Sequence, residues 1–171
     1  MSIFQQFITA RHFWSEMAIP DIIDYRTDQA NLRRALHSAI SLFHMHDWVF
    51  HTHEADVRAS FTFTDKNGIR RPVSSPEEFA NALEQQNADF GRIRGIANAG
   101  KHLKLKNIRP VQNAPSHAAN TATQSMGFGQ GPYGGVSRVM LEGANGNDME
   151  FLTILENVYQ MWDGLMTSHS W

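Results

Sequence analysis

Apolar residues recur at every third or fourth position along four stretches of the chain, and this spacing predicts amphipathic helices. Pro20 is expected to end the first helix. The second stretch contains no Gly or Pro and therefore predicts one long helix. The third has a favourable start, because Ser75 suits the capping position and Pro76 the first helical position. The predicted helices span residues 3–18, 22–56, 76–104 and 151–166.

Phenylalanine and threonine alternate strictly after the second predicted helix, in residues 61–64. Such alternation is typical of a half-buried strand, and Asn67-Gly68 is a favoured dipeptide for a tight turn between two strands. We therefore predict a β-hairpin over residues 59–73, inserted between the second and third helices. A loose loop is the alternative.

A second alternating segment, residues 136–142, predicts a strand, and turn-forming residues then lead into a short second strand. Residues 106–135 before it are nearly uncharged and rich in Gly, Asn, Ser and Thr. This segment is either flexible or partly β, with residues 117–126 as the best candidate strand. Because no internal repeat is apparent, we expect a single domain over residues 1–171. The predicted fold is mainly α: a four-helix-type bundle with an inserted β-hairpin and a small antiparallel β element before the last helix.

The amino-acid composition excludes several classes of protein and of functional site. The 171 residues include no cysteine, which excludes disulfides, zinc ribbons and a cysteine nucleophile. Fifteen Lys and Arg against 17 Asp and Glu give a net charge of −2, which excludes a globally basic nucleic-acid binder. No apolar run approaches the roughly 20 residues of a membrane span, and no secretory signal is evident. We expect a cytoplasmic protein without a membrane partner. No cofactor is expected, since the glycines within residues 127–135 do not match a phosphate-binding loop.

The second predicted helix carries an unusual set of histidines. On a helical wheel, its apolar residues form a core stripe, and His37, His44 and His51 follow one border of that stripe. Asp47 lies at about 60° from the centre of the stripe and intrudes on the apolar face. Burial of a carboxylate there costs free energy unless the carboxylate is paired. His44 and His51 are both near enough on the same helix to pair with Asp47.

The third predicted helix carries a matching polar intrusion, formed by Arg94, Asn98, Lys101 and His102. Antiparallel packing of the two helices would let Asp47 meet Arg94 or Lys101. Three interpretations follow for this polar pocket. The first is a structural buried ion pair, and the second is a catalytic or ligand-binding pocket. The third is a metal site built on His44, Asp47, His51 and His102, but its spacing is far less specific than HExxH and we assign no metal.

The run RIRGIANAGKH at the end of the third helix, within a helical bundle, resembles the HEPN superfamily of small α-helical proteins. Seven residues separate Arg94 from His102 in this run. The resemblance implies metal-independent RNA cleavage, or RNA binding, by a homodimer. It assigns His102 as the catalytic histidine, Arg94 as the phosphate-binding arginine, Asn98 as an auxiliary polar group and Asp47 as the acidic residue of the neighbouring helix.

Cations at the end of the third helix form a local basic stripe that suits an RNA backbone. A solvated helix end is the alternative interpretation. The stripe consists of Arg92, Arg94, Lys101, Lys104, Lys106 and Arg109. With His44 and His51, its residues Lys101 and Lys104 are the candidate binding residues. A non-enzymatic binding or assembly protein with a structural ion-pair network is the alternative function.

For two aromatic residues and four further histidines, we predict only the degree of exposure. Tyr133 and Trp171 are expected to be exposed and hint at a partner surface. Surface or border positions are expected for His12, His37, His117 and His169.

Overall fold

Helices dominate the computed structural model, which describes residues 9–101, 121–124, 137–142 and 148–171. The described residues form six helices and two small antiparallel β elements, one of them directly before the last helix. This confirms the predicted mainly α fold. Helix α1 is continuous through Ala10–Phe13, a π-helical turn at Trp14–Ala18 and Ile19–Thr27. The other helices are α2 (Leu32–Thr52), α3 (Glu54–Ser60), α4 (Pro76–Gln86), α5 (Ala88–Lys101) and α6 (Phe151–Ser168).

Pro20 does not end the first helix, contrary to the prediction, but lies inside α1. A proline in a helix removes one backbone donor and crowds the preceding turn. Here the π-helical turn comes immediately before it, with the N–H of Ile19 donating to the carbonyl oxygen of Trp14. The wider turn changes the hydrogen-bond register just where the proline would interrupt it. Residues 3–8 of the predicted helix lie outside the described residues.

The long predicted helix over residues 22–56 is divided between α1, α2 and α3. The division before α2 is made by side chains, because the amide oxygen of Asn31 accepts from the N–H of Arg34 at 3.2 Å and caps the new helix. The guanidinium of Arg34 then donates to the carbonyl of Asp24 at 3.1 Å and to Oγ1 of Thr27 at 3.0 Å. These bonds close a tight connection between two helices without any Gly or Pro.

The predicted helix over residues 76–104 is likewise divided, at Asn87. Its side-chain oxygen accepts from the N–H groups of Asp89, at 2.9 Å, and Phe90, at 3.3 Å, as an N-cap does. The helix start predicted at Ser75 is confirmed, since the Ser75 hydroxyl accepts from the N–H of Glu78 at 3.2 Å. Two helices therefore stand where one was predicted, and α5 packs back against α4.

The predicted hairpin is present. Strands β1 (Thr62–Thr64) and β2 (Arg70–Pro72) pair antiparallel, with Phe63 opposite Arg71. The carboxylate of Asp65 organises the turn, because its Oδ1 accepts from the N–H groups of Asn67 at 2.9 Å and Ile69 at 3.0 Å. Gly68 has a φ of +78°, a conformation that explains the glycine in this turn.

The second β element has three strands in the order β3-β4-β5, all antiparallel. These strands are β3 (Thr121–Gln124), β4 (Arg138–Leu141) and β5 (Met149–Glu150). Strand β3 lies within the 117–126 segment favoured as strand, and the rest of residues 106–135 is outside the described residues. The N–H of Val139 donates to the carbonyl of Gln29 at 2.9 Å, which fastens this sheet to the connection between α1 and α2.

The core is shared by the long helices. Helices α2, α5 and α6 pack together, and the indole N–H of Trp162 donates to the carbonyl of Leu42 at 3.0 Å inside it. Phe79 and Phe90 meet the Trp162 ring edge-on, at centroid distances of 6.3 and 6.1 Å. Across the described residues, no helix combines the length and the apolarity needed to cross a bilayer.

Trp171 is buried, so the expectation of an exposed aromatic at this position is wrong. Its ring stacks on His169 at 4.4 Å, and its indole N–H donates to Oδ2 of Asp56 at 2.7 Å. His169 is partly buried and also donates to that oxygen from Nδ1, at 2.9 Å. The polar edge of the indole thus has a partner on α3, which a scan for apolar residues does not reveal. His12 and His37 are exposed as expected, while Tyr133 and His117 lie outside the described residues.

Candidate functional site

Asp47 does not enter the core. Its side chain is 49% exposed, and its described ion pair is with Nε2 of His51, one helical turn further on, at 3.4 Å. The neighbouring Phe43 and Phe50 are buried, so the apolar stripe itself is placed as predicted. A position about 60° from the centre of the stripe leaves enough room for a short carboxylate to remain hydrated.

His46 is the buried titratable residue of α2. Its Nδ1–H donates to the carbonyl of Phe43, and its ring lies 4.6 Å from that of Phe43 and 6.3 Å from that of Phe90. Burial, the largest influence, lowers the pKa of His46 below its usual value, so the imidazole is neutral at neutral pH. The wheel contained this signal, since it places His46 at about 40° from the centre of the stripe, closer than Asp47.

Arg94 forms its described ion pairs with the preceding helix rather than with α2. Its Nη1 donates to Oδ1 of Asn81 at 2.8 Å and to Oε2 of Glu84 at 3.1 Å. Its Nη2 lies 4.0 Å from a carboxylate oxygen of Glu77. The side chains of Arg94 and Glu84 are only 14% and 18% exposed. A nearly buried ion pair therefore exists, but its acid is Glu84.

The expected ion pair between Asp47 and Arg94 does not form among the described residues. The break at Asn87 is the physical reason, because it turns α5 back along α4 and gives Arg94 nearer partners. Asp47 and Arg94 do both act electrostatically on His46, whose pKa the first raises and the second lowers, each by less than burial does. The two predicted site residues thus influence the same buried histidine without forming an ion pair with each other.

The structure describes only some of the other candidate residues. His44 and Asn98 are partly buried, and the backbone of Lys101 ends α5. The side chain of Lys101, together with His102 and Lys104, lies outside the described residues. Where the structure describes side chains, no group of three or more metal-ligating residues could hold a metal ion.

Two cations of the predicted basic stripe are neutralised inside the fold. Arg92 forms an ion pair with Asp89, and both side chains are largely buried. The second oxygen of Asp89 accepts from the side-chain amide of Asn157 on α6, at 2.6 Å. Arg94 is held by Glu84 in the same way. These guanidinium groups stabilise helix packing and do not form an open cationic surface.

Three residues that contact Arg94, namely Glu77, Asn81 and Glu84, also line a groove. Its volume is about 910 Å³, and it separates the β1–β2 hairpin from α4. We call it the hairpin groove; its walls include Phe63, Thr64 and Asp65 from the hairpin, and Glu77, Asn81 and Gln85 from α4. Glu84 also lines it, so the acid that holds Arg94 belongs to the groove wall. Sequence reasoning missed this site because it arises only from how the hairpin folds against α4.

No family model, curated protein or solved structure matches this chain. The HEPN resemblance consequently stays a prediction from sequence.

Proposed function

We propose that this chain is a non-enzymatic binding protein, in which the buried ion pair of Arg94 and Glu84 is structural and the hairpin groove is the binding surface. The observation that carries the proposal is the environment of Arg94. Its guanidinium is 14% exposed and donates from one nitrogen to both Asn81 and Glu84.

A phosphate-binding arginine needs guanidinium donors that face the substrate. For Arg94 to serve a phosphate, it would have to leave Glu84, and the loss of one partner of a buried pair costs about 3–5 kcal/mol. Two carboxylates, those of Glu84 and Glu77, would also lie beside the phosphate and repel it. This supports a structural role for Arg94 over the role that the resemblance implies.

RNA cleavage is the competing proposal. It takes His102 as the general acid or base, Arg94 as the phosphate ligand and Asp47 and Asn98 as helpers, and it rests on the resemblance. A homodimer belongs to that proposal as well. A cytoplasmic location is part of both proposals.

The decisive experiment compares purified wild type with the His102→Ala variant on labelled single-stranded and structured RNA, in chelator, between pH 6 and 8. We expect neither protein to shorten the RNA beyond a buffer control. RNA cleavage by wild type that His102→Ala abolishes would overturn the proposal. Gel filtration of both proteins with the same RNA reports binding without cleavage, and so separates a ribonuclease from an RNA-binding protein.

A further inference from the structure

The turn of the β1–β2 hairpin contains Asn67-Gly68, a dipeptide in which the asparagine side chain can react with the backbone. The carbonyl carbon of an asparagine side chain, Cγ, can close a small ring with the backbone nitrogen of the next residue, which makes asparagine thermolabile. Asn67 and Gly68 are both exposed. Among the described residues, and apart from the chain neighbours, no atom lies within 4 Å of the point where a Cβ of Gly68 would stand. The surroundings of this nitrogen are therefore open to the reaction.

The side-chain amide of Asn67 has no hydrogen-bond partner within the described part of the chain. Other asparagine side chains are engaged: those of Asn31 and Asn87 cap helices, and that of Asn157 donates to a carboxylate of α5. A hydrogen-bonded side chain is held in one rotamer, whereas the side chain of Asn67 can rotate and bring Cγ toward the nitrogen of Gly68. Of these four asparagines, Asn67 is therefore the one free to react.

Asp65 holds the nitrogen that has to react. The N–H of Gly68 donates to the backbone carbonyl of Asp65 at 3.0 Å. The carboxylate of Asp65 accepts from the N–H of Ile69 at 3.0 Å and from that of Asn67 at 2.9 Å, and the bond from Ile69 above all holds the pKa of this carboxyl below its usual value. While these bonds last, the nitrogen of Gly68 faces Asp65, so the reaction needs the turn to open.

We propose that Asn67 is a site of spontaneous deamidation through a cyclic imide with Gly68, and that the turn held by Asp65 sets the rate. This inference does not depend on the proposed function. A surface turn with solvent-exposed backbone hydrogen bonds opens far more often than the core does, and each opening releases the nitrogen of Gly68.

The reaction uses water and needs no oxidant or reductant. The nitrogen of Gly68 loses its proton to hydroxide and attacks Cγ of Asn67, so that a new N–C bond closes the imide ring. The bond from Cγ to Nδ2 breaks, and Nδ2 takes protons from water and leaves as ammonia. Water then adds to one of the two imide carbonyls and breaks its bond to nitrogen. The product is aspartate or, where the backbone carbonyl is attacked, isoaspartate, in which the chain runs through the former side chain.

Either product changes the charge of the hairpin groove, because Asn67 lines it. The cations on the hairpin side of the groove are Lys66 and Arg71, and Arg71 already forms an ion pair with Asp65 at 3.4 Å. Deamidation adds a second carboxylate beside them, in a chain whose net charge is already −2. Isoaspartate also lengthens the backbone of the turn, which disturbs the hydrogen bonds that Asp65 accepts.

Three variants test the inference. Asp65→Ala removes the carboxylate that holds the turn, and we expect deamidation about tenfold faster than in wild type, which corresponds to turn opening that is easier by about 1.4 kcal/mol. Asn67→Gln keeps a side-chain amide but would need a larger ring, so we expect no conversion at this position. Asp163→Ala is the matched control, since it removes an exposed carboxylate of α6 and should react at the wild-type rate. Thermal unfolding of each full-length variant establishes that it is folded.

Each protein is incubated at mildly alkaline pH for weeks, and peptide mapping by mass spectrometry follows the conversion of Asn67, with isoaspartate and aspartate products separated by chromatography. Wild type unfolded in urea gives the upper limit of the rate, and the second Asn-Gly dipeptide, Asn145-Gly146, checks in the same sample that the reaction proceeds. We expect slower but measurable conversion in the folded protein, with isoaspartate among the products.

Intact Asn67 in the folded protein, after the urea sample has converted, would overturn the inference. Equal rates in wild type and Asp65→Ala would show that the turn does not set the rate. Aspartate without any isoaspartate would mean direct hydrolysis of the side chain, and so contradict the imide with Gly68.

Discussion

Arg94→Met and Glu84→Gln, made singly and together, measure the ion pair on which the proposed function depends. Methionine keeps much of the length of the arginine stem without its charge, and glutamine keeps the shape of glutamate and one oxygen acceptor. The double variant closes a thermodynamic cycle, so the pairwise energy is separated from the loss of packing.

The magnitude follows from burial. Removing one partner of a fully buried pair costs about 3–5 kcal/mol, because the remaining charge stays unpaired in a poorly solvated place. Here the two side chains keep 14% and 18% of their exposure, and Glu84 borders the groove, so water reaches it. We therefore expect a loss of about 2 kcal/mol for Arg94→Met and a coupling energy of about 1–2 kcal/mol. In a chain of this length, about 2 kcal/mol lowers Tm by about 4–8 °C.

A second Arg–Glu pair in the same chain provides the control. Arg58 and Glu54 on α3 are closer, at 2.6 Å, but their side chains are 46% and 52% exposed. Exposed pairs one helical turn apart are worth about 0.3–0.5 kcal/mol. The two cycles, Arg94 with Glu84 and Arg58 with Glu54, are measured by urea unfolding at low ionic strength and again at high ionic strength. Salt should weaken the exposed pair more strongly.

The comparison therefore sets burial against distance. If distance decided the energy, the Arg58–Glu54 pair would show the larger coupling. A coupling between Arg94 and Glu84 no greater than that between Arg58 and Glu54 would refute the reasoning, because it would mean that the guanidinium of Arg94 is not committed to the fold and is available to a ligand.

Three further predictions concern other polar groups. Burial holds the pKa of His46 below its usual value of about 6.5, so the contribution of His46 to stability is complete above pH 6.5 and is lost as pH falls toward the lower pKa of the folded state. His46→Phe should therefore flatten the slope of unfolding free energy against pH below pH 6.5, and an unchanged slope would contradict this role of His46. Although burial raises the pKa of Asp56, hydrogen bonds from Trp171 and other donors outweigh it and hold that pKa below its usual value; Trp171→Phe should raise it in a ¹³C NMR titration. Asn87→Ala should cost about 1 kcal/mol in urea unfolding by removing the cap of α5, and equal loss in Asn87→Asp, which keeps an acceptor, would contradict the capping role.

The apolar pattern predicted which faces of the helices are buried, but not where the helices end. Two of the three missed boundaries, at Asn31 and at Asn87, are made by an asparagine side chain that caps a new helix, whereas the third, at His53, has no side-chain cap. Neither asparagine boundary involves a Gly or Pro in the connection, and asparagine within a continuous apolar periodicity is a weak stop signal. The hairpin was predictable for the opposite reason, since Asn67-Gly68 requires little from the rest of the fold.

The partners of polar residues were less predictable than the elements that carry them. Arg94 was expected near the core, and it is there, but its acid depends on the angle between α4 and α5. Asp47 and His46 lie about 100° apart on the same helix, and a difference of about 20° from the centre of the stripe decided which of them is buried. A wheel drawn from sequence does not resolve angles that small.

The groove and the ion pair share Glu84 of α4. Asn81 and Glu84 line the groove and also accept hydrogen bonds from the guanidinium of Arg94, so Arg94 helps to hold two residues of the α4 wall in place. A ligand that binds this wall only in the folded state stabilises the fold by RT ln(1 + [L]/Kd). Loss of Arg94 would then weaken both folding and binding, although Arg94 is not among the residues that line the groove. That is the behaviour of a positioning residue. It distinguishes the two proposed functions, because an arginine that binds phosphate must donate to its ligand, whereas Arg94 donates to two residues of the groove wall.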